Sequence, residues 1–207
     1  WRSHSVGGGS FTSMAGTNME VVITKQADKT TLTVRGPETK SRPAPVPEDA
    51  EFVGIIFKMG SFMHPLPASG LVDGGINLPE ASSKSFWLNG SAWQFPDYEN
   101  TDTFINRLVR DGVLMREPVV EAALQGHLKE LSLRSVQRRF LQATGLTHKT
   151  VQQIRRAHKA LELLQQGKSI LDTVYETGYF DQSHLTNSLK HYLGQTPAQI
   201  AQECQLE

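Results

Sequence analysis

Thiols are nearly missing from this sequence: Cys204 is the one cysteine in 207 residues. That excludes an internal disulfide and a multi-thiolate zinc site, and it suits a reducing cytosol. Net charge is missing as well, since 21 Lys and Arg balance 21 Asp and Glu. No field of the whole molecule draws in polyanions, so any nucleic-acid function must come from local charge. No run of eighteen apolar residues occurs, which excludes a bilayer-spanning helix. Trp1 to Met14 is polar and glycine-rich without a signal-like apolar core. A cytoplasmic protein without membrane attachment is expected; because the chain begins at Trp1 and not Met, native residues are expected ahead of it. His4, His64, His127, His148, His158, His184 and His191 show no ligand spacing with carboxylates or thiols, so neither metal nor cofactor is expected. A Gly-rich phosphate loop, a G-x-S-x-G turn and a plausible Ser/His/Asp order are also lacking, which argues against an enzyme.

What is present falls into two halves. From Glu20 to about Phe95 the apolar residues come in short runs rich in β-branched and aromatic types. Val21 to Ile23, Thr30 to Val34, Phe52 to Phe57 and Phe86 to Leu88 read as strands. Gly36 to Glu48, with four prolines, reads as a loop. Near Thr101 the period changes: Phe104, Ile105, Leu108 and Val109 share a helical face closed by Asp111-Gly112. That helix either covers the sheet or forms a dimer interface. Eleven of the sixteen aromatic residues precede Val113, so composition shifts with period. The expected division is a β-rich domain over 1–113 and an all-α domain over 114–207. Trp87 and Trp93 either belong to the core of the first or line an effector pocket, since apolar clefts favour aromatics.

The helical half repeats itself. Pro118 opens a helix with Val119, Val120, Ala123 and Leu124 on one face. Ser132 caps a second, where Leu133, Val136, Phe140 and Ala143 face in and Arg134, Gln137 and Arg138 face out. Gly145 ends it, and Thr147 caps a long helix running to about Gln166. The pattern then returns: Ser169 as cap, a short helix with Ile170 and Val174 inward, Gly178 at the turn, Asp181 as cap. In the helix that follows, Leu185, Leu189 and Tyr192 face in, and Ser183, Thr186, Asn187 and Lys190 face out. Thr196-Pro197 starts a last short helix. A connector of about twenty residues spans roughly 30 Å, close to the 34 Å or so that separates successive major-groove readers on one face of DNA. From Leu133 to Lys159 the charged residues are Arg134, Arg138, Arg139, Lys149, Arg155, Arg156 and Lys159, with no acid among them. Such a stretch can neutralise phosphates.

Ser169 to Ile200, "SILDTVYETGYFDQSHLTNSLKHYLGQTPAQI", resembles the AraC/XylS regulator signature: a Gly-aromatic-Phe turn, then Asp-Gln-Ser-His-Leu, a Lys, an aromatic, Gly, and Thr-Pro. Leu131 to Thr147, "LSLRSVQRRFLQATGLT", is similar to the family's first and more variable unit. The resemblance implies a bacterial transcription regulator with two helix-turn-helix units joined by a long helix, each second helix entering one of two adjacent major grooves of double-stranded DNA. It places base contacts at Arg134, Gln137 and Arg138 in the first unit and at Gln182, Ser183 and Asn187 in the second. Chemistry agrees, because Arg suits guanine O6/N7 and Gln or Asn suits adenine N6/N7. Phosphate partners are expected at Lys149, Arg155, Arg156, His184, Thr186 and Lys190. Two departures stand out: Asn187 occupies a place where the longer Arg is frequent, and His148 one where the connector commonly starts with Pro. The first unit is therefore expected to dominate specificity.

"FVGIIFKMGSF" and "SFWLNGSAW" are similar to diverged sensory domains that precede such DNA-binding halves. This likeness implies a cupin-like β domain that binds a small-molecule effector, forms a homodimer, or both, with RNA polymerase as a further partner. Two other readings are set beside it. DNA-repair methyltransferases carry a related half, but they need a reactive N-terminal thiol, and Cys204 is at the far end. The other is an effector-binding protein whose helical half contacts protein and not DNA; single substitutions at Arg138 and Gln182 separate it from DNA reading.

Overall fold

The computed structural model describes residues 1–127 and 131–203; Cys204 lies outside them. Strands dominate the first half: β1 (Arg2–Ser5), β2 (Gly9–Ser13), β3 (Glu20–Gln26), β4 (Lys29–Arg35), β5 (Arg42–Val46), β6 (Ala50–Ile56), β7 (Ser61–Met63), β8 (Gly75–Asn77), β9 (Glu80–Ser82), β10 (Ser85–Leu88) and β11 (Ser91–Gln94). Helix α1 (Thr101–Arg110) and strand β12 (Leu114–Arg116) follow. From there the described chain is helical: α2 (Pro118–Leu124), α3 (Leu133–Thr144), α4 (His148–Gln165), α5 (Ile170–Thr177), α6 (Gln182–Leu193) and α7 (Pro197–Glu203). The chain thus has the expected two-part α+β layout.

The backbone clusters into two compact units. The first comprises residues 1–10, 17–37 and 45–148; the second comprises 11–16, 38–44 and 149–207. They do not divide the chain at residue 113, because α2 and α3 cluster with the strands and two short N-terminal segments cluster with α4 to α7.

In the first unit an antiparallel sheet runs β1-β6-β3-β4-β8. Its centre is the β3–β4 hairpin, registered Val21↔Val34 and Ile23↔Leu32. Two-residue periodicity turns these side chains to one face, where they pack with Phe57, Met63, Phe86, Leu88 and Trp93. Helix α1 closes that core through Phe104 and Leu108, with the Phe104 ring edge-on to Trp93. It therefore covers the sheets, which settles one of the two roles left open for it. Val109, expected on the same apolar face, is exposed at the helix end.

Strand β5 corrects the expected loop over Gly36 to Glu48, since Arg42–Val46 pairs with β2 in a two-stranded ribbon. Proline removes a ladder donor, yet a ribbon with one partner leaves an outer edge that needs none. Nothing in the polar start of the chain signals β1 or β2, because their side chains stay largely exposed and show no alternation.

Candidate nucleic-acid interface

The first candidate reader is α3. Ser132 accepts a hydrogen bond from the Ser135 N–H at 3.2 Å, and Gly145 ends the helix in the left-handed region at φ 72°. Beside Gly145 run the Ala68 carbonyl and Val72, and a Cβ would come within 2.8 Å of that oxygen. Glycine is required there on both counts. Val136, Phe140 and Ala143 are buried, and Arg134, Gln137 and Arg138 are exposed on the opposite side. All three expected base-reading residues thus share one outward face, held by a packed rear.

Leu133 corrects the expectation. It shares the inward angle on a helical wheel but is 76 % exposed. As the first residue of α3 it sits where the helix has barely begun, and angle alone does not supply it with neighbours. Arg139 is also spoken for: its Nε and Nη2 donate to the two Glu117 oxygens at 3.0 and 2.6 Å. Glu117 in turn caps α2 by accepting from the Val119 N–H. A bidentate pair of this kind has geometric specificity that a lysine would lose, so Arg139 anchors α3 to α2.

The second candidate reader is α6, in the other unit. Asp181 accepts from the His184 N–H at 2.7 Å, and Gly178 provides the left-handed turn before it. Leu185, Leu189 and Leu193 are fully buried among Ala157, Ala160, Leu164 and Ile200. Gln182, Ser183 and Asn187 are exposed. Asp181→Ala should cost about 1 kcal/mol, the usual effect of losing an N-cap acceptor. Thermal unfolding checks this, and a loss below a few tenths would show that the cap does not hold α6.

The phosphate candidates sort unequally. Lys149 and Lys190 are exposed. Arg155 is exposed and engaged within the protein. Thr186 spends its hydroxyl proton on the Gln182 carbonyl at 2.8 Å. Arg156 lies with its guanidinium 4.2 Å above the Tyr179 ring, a cation–π contact that fixes the buried Tyr179 as much as it offers charge. His184 stands edge-on to the same ring, and its Nδ1 accepts from the Phe180 N–H. A neutral imidazole accepting at Nδ1 carries its proton on Nε2, so an outward donor remains.

Phe180 was not foreseen. It precedes the Asp181 cap, where an apolar residue commonly staples to the fourth helical position. That position is the buried Leu185, yet Phe180 is 90 % exposed. The missing staple leaves the Phe180 ring exposed at the N-terminal end of the second reader.

The two tryptophans are not brought together. Trp93 pairs across the ladder with Phe86, and Trp87 with Ala92, so they point to opposite faces. Trp93 is 3 % exposed, donates Nε1–H to the Leu88 carbonyl and lies under Arg107; it is core. Trp87 is on the surface, 47 % exposed. A cavity of the first unit, lined by Met19, Gly60, Ala68, Ala143 and Thr144 among others, has room for about one water molecule.

Among the described residues no helix is long and apolar enough to cross a membrane. A family model described as a helix-turn-helix domain matches residues 130–203, which takes in α3 through α7. No curated protein and no solved structure gives a significant match. Two capped helices with buried rears and polar outer faces, α3 and α6, fall within that match, which supports an AraC-type helix-turn-helix domain over residues 130–203.

Proposed function

We propose that the protein reads a specific operator with α3 and α6, each laid in a major groove, using Arg134, Gln137 and Arg138 from one helix and Gln182, Ser183 and Asn187 from the other. The observation that carries this reading is the repetition of one design: a cap, a buried apolar rear and an exposed row of side chains suited to base edges. Helix α4, with 18 residues, is about 27 Å long, which supports two adjacent grooves as the target. Lys149, Arg155, Arg156, His184 and Lys190 are the phosphate partners in this scheme, Thr186 being occupied by the Gln182 carbonyl, and the cytoplasm is its compartment.

Selection from random DNA followed by footprinting should return one asymmetric site covering two successive grooves. Affinity should fall linearly on a log–log plot against salt, with about 0.9 in slope for each phosphate neutralised. Sequence-indifferent binding at physiological salt would overturn the reading.

The rest of the scheme assigns labour along the chain. Residues 114–207 read DNA, and residues 1–113 respond to a small-molecule effector, pair with a second copy, or contact RNA polymerase. The strand-rich composition of the first half supports a sensory role. The exposed Trp87 is a contact point for an effector, and titrating one against its fluorescence tests that assignment directly.

A further inference from the structure

Glu38 is the most deeply buried carboxylate among the described residues, 7 % exposed, and none of the reading faces uses it. A carboxylate taken out of water must be paired and hydrogen-bonded to be tolerated. Arg42 donates to its Oε1 from Nε and Nη2, at 3.2 and 2.6 Å, and the Ser13 hydroxyl donates to Oε2. The Glu38 backbone exchanges two hydrogen bonds with Gly16, both at 2.9 Å. Glu38 therefore ties segment 11–16 to segment 38–44.

Both segments end on α6. The last four carbonyls of a helix lack intrahelical donors. Gly194 donates to the Leu189 and Lys190 carbonyls, and that leaves those of His191, Tyr192 and Leu193. Ser41 N–H donates to the first at 2.9 Å, and Ala15 N–H donates to the second at 2.7 Å. The Ser41 hydroxyl lies 3.2 Å from the His191 carbonyl. From α4, His158 holds the Ala15 carbonyl at 2.6 Å; a carbonyl only accepts, so Nε2 is the donor. Thr12 sits so close to Gly194 that a Cβ there would meet it at 2.8 Å.

We propose that Glu38 is a positioning residue of the second reader: by clamping the two segments it closes the C-terminal end of α6 and sets the orientation of Gln182, Ser183 and Asn187. This rests on α6 being a DNA reader. The two segments flank the β3–β4 hairpin in sequence, so the hairpin at the centre of the five-stranded sheet leads at both ends into the clamp.

The test uses the full chain, with Glu38→Ala, Arg42→Gln and the double variant compared by footprinting and amide hydrogen exchange. Glu38→Ala should speed exchange at the Ala15 and Ser41 amides. It should weaken operator binding by about tenfold, losing protection in the groove read by α6 and keeping it in the groove read by α3. Arg42→Gln should do the same to a lesser degree, and the double variant should be no worse than Glu38→Ala, because both act on one clamp. The Arg42 side chain is 34 % exposed, so its variant carries the test if Glu38→Ala does not fold. Faster exchange with an unchanged footprint, or equal weakening in both grooves, would overturn the proposal. Failure of the underlying reading looks different: the unaltered protein would leave the second groove unprotected, and Gln182→Ala would change nothing.

Discussion

Phe140→Ala should destabilise the protein by about 3–5 kcal/mol, the range for deleting a buried phenylalanine ring. Phe140 is 1 % exposed at the centre of the packed face of α3, edge-on to the His148 ring. Its carbonyl also accepts from the buried Thr144 hydroxyl, which accepts in turn from the Leu146 N–H and so shapes the turn after the helix. A cavity there removes contact atoms and loosens the element that presents Arg134, Gln137 and Arg138. With total stability of about 5–15 kcal/mol for a typical domain, the loss is a large share of the whole. Denaturant unfolding measures it, and Phe180→Ala is the internal control. That ring is exposed, and its removal should change stability by less than about 0.5 kcal/mol. Equal losses from the two phenylalanines would show that α3 is not held by its buried face.

Operator affinity should fall by 1–3 kcal/mol, on the order of 10- to 100-fold, when Arg138 is replaced by Ala, with preference relaxed at one base pair. Gln182→Ala should do the same at a base pair in the other groove. The rank between them follows from reach: Arg138 is a long bidentate donor, and Asn187, exposed like Gln182 on α6, is short. Changes to the base pairs read by α3 should therefore cost more than changes to those read by α6. Binding curves on single-substitution operators decide this. A drop shared equally by all sequences would identify phosphate contacts instead, and a larger cost on the α6 side would reverse the ranking.

The basic stretch from Arg134 to Lys159 is less uniform than its sequence. Arg139 is bound to Glu117, Arg156 lies on Tyr179, and Lys159 stands 3.4 Å from Glu162. Arg134, Arg138 and Lys149 remain exposed without an ion pair among the described residues. Fewer of the seven positive charges are thus available to DNA than the count implies, and the salt slope should reflect the smaller number.

The caps show how much was legible locally. Ser132, Ser169 and Asp181 each accept from the N–H three residues on, as their place before an apolar period required. Leu133 and Val109 show where a helical wheel stops short, because it gives an angle and not a neighbour. The same limit applies to Trp87 and Trp93. Both stand in apolar runs, and only the pairing of β10 with β11 put them on opposite faces.

The sequence by itself determined the order of the helices, the caps of α3, α5 and α6 with their left-handed turns, the buried rear of each reading helix and the family motif from Ser169 to Ile200. Each of these is set by residues within a few positions of one another, so periodicity and turn chemistry suffice. Only the tertiary structure decided which charges are engaged and what closes α6. Glu117 and Arg139 are 22 residues apart, His158 and Ala15 are 143, and Ser41 and His191 are 150. Contacts across such separations depend on which segments the folded chain brings together, and neither composition nor period carries that information.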